Sequence, residues 1–142
     1  MNLNEFILSL LLTLQSEYGI NEDIDPPQVH LVSSNQLIQM ACISGCDEVR
    51  GWTPPGVSIY LDYTLDFQNS IHDQSILLHE LVHYVQYKYG LDEMSTECLT
   101  WKLREAKAYQ FQIKWLHDRR QSIEELGLHR VQQRLIRLKC PQ

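Results

Sequence analysis

The chain has 142 residues, 44% of them hydrophobic, so one domain with a sizeable core is the expected organisation, written 1–142. A formal charge of −6, from 12 Lys and Arg against 18 Asp and Glu, argues against a nucleic-acid or anionic-lipid footprint. The basic residues gather near the C-terminus, in "WLHDRR" and "VQQRLIRLK", where they read as a solvated helix face.

The opening "MNLNEFILSLLLTLQSEYGI" has no basic leader, carries Glu5 and lacks a small-residue cleavage site, so it reads as an ordinary helix and not a secretion signal. Leu3, Phe6, Ile7, Leu10, Leu11, Leu14 and Tyr18 recur at helical spacing, and Gly19 is placed to stop the helix. No apolar run is long enough to cross a bilayer, and neither a membrane nor a nucleic-acid partner is expected.

After the turn-rich "NEDIDPPQ", the branched residues of "VHLVSS" suggest a short strand. "SNQLIQMA" then reads as a short helix that Ser33 or Ser34 can cap. "GCDEVRGWTPPG" reads as loop, with Trp52 a candidate for the rim of a cleft. In "VSIYLDYTL", Val57, Ile59 and Leu61 alternate with Ser58, Tyr60 and Asp62, the best strand pattern in the chain. The preceding Pro54, Pro55 and Gly56 suit an edge strand. Helices follow: one starting at Ser70 or Asp73 and ending at Gly90, a second from about Ser95 to Arg119, and one or two shorter ones to the end. That order predicts a helix-rich α+β domain with a short antiparallel or mixed sheet.

Cys42 and Cys46 can close a small-loop disulfide, whereas Cys98 and Cys140 fit either a pair or free thiols. A bridged Cys42 and Cys46 implies a periplasmic or secreted protein, and reduced thiols a cytoplasmic one.

The chemistry concentrates in "ILLHELVHYVQ", Ile76 to Gln86. On a helix His79 and His83 lie about 40° apart and about 6 Å along the axis, so both imidazoles face one way and can reach a single Zn2+. Glu80 flanks that point as a general base, the arrangement of an HExxH metallohydrolase. Leu77, Leu78, Leu81, Val82, Tyr84 and Val85 can pack the opposite arc. A third ligand must come from downstream, since the residue that would continue a close histidine pattern is Tyr89. Asp92, Glu93, Glu97 and Glu105 are the acidic candidates. Glu105 is favoured because Ala106 and Ala108 allow close helix approach, although a minimal turn at Gly90 would bring Glu97 nearer. An oxyanion donor could come from Tyr109, His117, Tyr63 or His72.

Together, "ILLHELVHYVQ" and "EAKAY" resemble the gluzincin zinc metallopeptidases, and in particular small bacterial zincin-like proteins with an HELVHYVQ helix. The resemblance implies His79, His83 and Glu105 as metal ligands, Glu80 as catalytic base and Zn2+ as cofactor. It also implies a minimal zincin-like fold whose sheet edge borders the metal cleft, with "VSIYLD" as that edge. A peptide or protein substrate would then lie along Val57 to Asp62 as an added strand. Where many gluzincins place an aspartate that orients a histidine, this chain has Tyr109, which puts the support of the ligands in question. A metal-binding regulatory or interaction module without catalysis is the alternative function.

Overall fold

The computed structural model describes residues 2–41 and 49–141. It is a helix-rich α+β fold with a small mixed sheet. The expected pairing of Cys42 with Cys46 lies outside the described residues. In chain order the elements are α1 (Leu3–Tyr18), β1 (Gln28–Val32), α2 (Ser34–Ala41), β2 (Gly51–Trp52), β3 (Ser58–Asp62), α3 (Ile71–Tyr89), α4 (Glu97–Asp118) and α5 (Ser122–Arg137). Among the described residues no helix is long and apolar enough to cross a membrane.

Local chemistry sets most boundaries. Asn2 caps α1 by accepting the Glu5 N–H at 2.8 Å, and Ser33 caps α2 in a reciprocal pair with Gln36. Ser70, not Asp73, caps α3 by accepting the Asp73 N–H, and Thr96 does the same for α4 through Leu99. Gly90 ends α3 with φ of 61°, a left-handed conformation that costs glycine little. The last segment is one continuous helix, α5.

The sheet departs from expectation in one respect. Its order is β1-β3-β2, with β1 parallel and β2 antiparallel to β3, so β3 is the central strand and not an edge. Pro54 and Pro55 lie before β3, outside its ladder, and leave both its hydrogen-bonding sides usable. β1 takes one side from Ser58 to Asp62 and β2 takes the other at Tyr60 and Leu61, so β3 does not offer a free edge along Val57 to Asp62. The strand bordering the cleft is β2, within the segment expected to be loop. It pairs only Gly51 with Leu61 and Trp52 with Tyr60, too short a run to leave an alternating pattern.

Ile59 and Leu61 point from β3 into the core, where they meet Leu77, Leu81, Val82 and Val85 of α3. Leu10, Leu11 and Leu14 of α1 join the same cluster. Covered in this way, α3 is buried from Leu77 through Gln86. The helix carrying the two histidines is therefore the axis of the fold, and α4 runs beside it.

Candidate metal centre

His79 and His83 project from the middle of α3 at 8% and 9% exposure, toward Glu105 on α4. Their Nε2 atoms are 3.2 Å apart. The Glu105 carboxylate lies 3.5 Å from His79 Nε2 and 2.5 Å from His83 Nε2. Residues 90–96 join the two helices, a longer connection than a minimal turn. That length brings Gln86 beside Arg104, His83 beside Glu105 and His79 beside Gln112. Glu97 is carried to the far end of the cleft. Asp92 binds Tyr18 and Gln86, and Glu93 pairs with Arg104, so neither joins the cluster.

The orientation of both imidazoles is fixed by acceptors that cannot be reversed. Ser75 Oγ donates to the carbonyl of His72 at 2.6 Å and so accepts from Gln112 Nε2. The amide oxygen of Gln112 then faces His79 Nδ1 at 2.9 Å, and that nitrogen must donate. Gln86 Nε2 donates to the Arg104 carbonyl and to Asp92, each at 3.1 Å, which turns its oxygen onto His83 Nδ1 at 2.8 Å. With both Nδ1 atoms carrying hydrogen, the neutral rings aim two Nε2 lone pairs at each other. Two facing lone pairs repel unless a cation lies between them.

A tetrahedral ion with bonds of 2.0 to 2.1 Å separates its ligand atoms by about 3.3 Å. The two imidazole nitrogens already have that spacing, and two imidazoles with one carboxylate is a donor set used by catalytic zinc. The residues present fit the ion once the Glu105 oxygen, 2.5 Å from His83 Nε2, opens to that same spacing. Without it, a proton takes its place. Burial pushes the His83 pKa down, but the Glu105 carboxylate outweighs it and raises the value to about 8. Burial acts the opposite way on Glu105, yet the two histidines hold its carboxyl far below the ordinary range.

Glu80 is 7% exposed and lies against β2. Thr53 Oγ1 donates to its Oε1 at 2.8 Å, with the Glu80 carbonyl a second acceptor at 3.1 Å. Gly51 leaves room for the side chain: a Cβ there would sit 2.8 Å from Glu80 Cγ and 3.1 Å from Oε2. Tyr109 turns its ring edge to His79 at 4.6 Å between centroids. Burial, aided by Glu105 and Glu80, pushes its phenol up to about 12, so it remains a proton donor at neutral pH. A cleft of about 1200 Å³ opens over these groups, with Trp52 and His72 among its lining. His117 is instead paired with Glu125 on the surface, and the exposed Tyr63 does not line the cleft.

The site thus gathers the expected His79, Glu80, His83, Glu105 and Tyr109. Sequence reasoning missed Gln86, Gln112, Thr53 and Gly51. Gln86 alone had a local signal, since it lies on the turn after His83. Residues 2–129 match the profile of a domain of unknown function, DUF6647. The chain belongs to that family. No curated protein and no solved structure matches it.

Proposed function

We propose that this DUF6647 chain is a zinc-dependent peptidase or amide hydrolase of the gluzincin kind. One observation carries the reading: two imidazoles with their Nδ1 hydrogens tied to amide oxygens turn both Nε2 lone pairs, and the Glu105 carboxylate, toward one point beside Glu80. His79, His83 and Glu105 would hold the ion. Bound zinc would supply Lewis-acid polarisation of a carbonyl and a lowered water pKa.

The chain's own groups handle protons and position. Glu80, steadied at Oε1 by Thr53, takes a proton from the attacking water at Oε2 and returns it to the departing amine. Tyr109 keeps its phenolic hydrogen and donates it to the carbonyl oxygen as negative charge develops there. An extended peptide is served by the cleft-facing backbone of β2 at Gly51 and Trp52. A disulfide joins Cys98 to Cys140, which favours an oxidising compartment over the cytoplasm.

The test combines elemental analysis of protein purified without chelator with peptidase assays on a mixed peptide library. Zinc at one ion per chain is expected, together with turnover that falls at least about 100-fold in Glu80→Gln while zinc is retained. A module that binds metal without catalysis would show zinc and no Glu80-dependent turnover. Absence of zinc uptake would end the reading altogether.

A further inference from the structure

The cleft continues past the histidines along α4. Its wall there is one stripe of the helix at four-residue spacing, Glu97, Trp101, Glu105 and Tyr109, all of which line the cavity. Residues so spaced stand one above another, about 6 Å apart along the axis. Trp101 is therefore the neighbour of Glu105 on that wall, and half of it is exposed. Met94, also half exposed, lines the same cleft.

This wall is built, not draped. Thr100 Oγ1 accepts the Met94 N–H at 2.9 Å, and the Cys98–Cys140 disulfide fastens the first turn of α4 to the chain beyond α5. The adjacent cation is already engaged: Arg104 Nε donates to the Leu91 carbonyl at 3.0 Å, its guanidinium covers the Tyr87 ring and Nη2 meets Glu93. An acidic side chain arriving beside Trp101 would thus meet a committed arginine and the nearby Glu97. Ile123 and Ile136 of α5 are exposed as well, but they lie outside this cleft.

We propose that Trp101 and Met94 form a subsite for one large apolar side chain, aromatic or branched aliphatic, on the residue flanking the scissile amide of a peptide. An extended peptide advances about 3.3 Å per residue, so the step from Glu105 to Trp101 spans one to two residues. That the occupant is a substrate rests on the hydrolase reading. The apolar preference does not, because neither side chain touches the metal trio through a hydrogen bond or charge.

The experiment titrates zinc-free and zinc-loaded protein, labelled with 15N at tryptophan, with N-acetyl-phenylalanine amide and N-acetyl-glycine amide. The indole N–H of Trp101 is assigned by its loss in Trp101→Phe. It should shift with the phenylalanine amide at about tenfold lower concentration than with the glycine amide. Ligand line broadening should give Trp101→Ala the weak, unselective affinity of the glycine compound, with most of the preference kept in Trp101→Phe. Equal response to the two amides, or a response confined to the Trp52 indole, overturns the subsite. Selectivity in protein that takes up no zinc upholds the subsite and removes the hydrolase reading. Glu80-dependent turnover without selectivity does the reverse.

Discussion

Between Leu77 and Gln86, α3 buries every side chain, two histidines, a glutamate and a glutamine among them, while α5 buries Leu135 alone. The first region is held by apolar packing and by polar groups that each find a partner. The second is held by the α4 contacts of a few residues, by Lys102 Nζ donating to the Ile136 and Leu138 carbonyls, and by the Cys98–Cys140 bridge. The difference teaches where each can tolerate change. A buried polar network loses most when one member is removed, because its partner is stranded away from water. A thinly buried helix depends on its covalent tie.

The largest effect should therefore come from the tie. The bridge spans 42 residues of sequence, and closing a loop of that length removes unfolded-chain entropy worth about 4 kcal/mol. The double variant Cys98→Ala with Cys140→Ala should lose close to that in denaturant unfolding if α5 unfolds with the rest. If α5 instead frays by itself, global stability falls far less, and hydrogen exchange in residues 122–137 accelerates while that in α3 does not. Either pattern ranks the two regions. Equal acceleration in both helices with no loss of stability would contradict the comparison.

The next effect probes the buried network. Gln86→Leu keeps volume and apolar contact but strands His83 Nδ1–H and removes one bond each from the Arg104 carbonyl, which lies within α4, and from Asp92, which keeps Tyr18. Stranding one buried donor costs about 1 to 3 kcal/mol, and loss of a group supporting a metal-binding histidine weakens metal affinity about 10- to 100-fold. Zinc titration against a competing chelator measures the second quantity. Unchanged affinity would mean that Gln86 does not orient His83.

Gln86 also marks how far the sequence could be read. The histidine pair and Glu80 are legible because helical geometry alone puts them together. Glu105 needed one tertiary fact, the length of the connection at residues 90–96, and helix packing through Ala106 and Ala108 pointed to it. In many gluzincins the support of a histidine is an aspartate at the position this chain gives to Tyr109. Here it comes instead from two glutamines, one of which, Gln86, reaches on to the carboxylate of Asp92. Glutamine carries no pattern of its own, and Gln112 acquires its role only when α4 lies against Ser75. Gly51 and Thr53 were harder still, since a two-residue strand has no period and their partner, Glu80, is distant in sequence. The edge-strand expectation failed because prolines before a strand do not say which neighbours the strand will acquire.

The smallest effect separates proton from metal at the same atoms. In metal-free protein the His83 pKa is raised from 6.5 to about 8, so its contribution to stability is complete below about 6.5 and is lost as pH rises through about 8. Metal cancels that slope. An ion at His83 Nε2 needs the neutral ring, so its affinity should climb about tenfold per pH unit up to about 8 and then level off. Stability added by a fixed excess of zinc follows affinity logarithmically. Denaturant midpoints should therefore fall between about pH 6.5 and pH 8 for the metal-free protein and stay nearly level over that range for the zinc-loaded one, so that the gap between the two curves widens with pH. Parallel curves would mean that proton and metal do not compete for His83, and the lone-pair geometry drawn from Gln86 and Gln112 would be wrong.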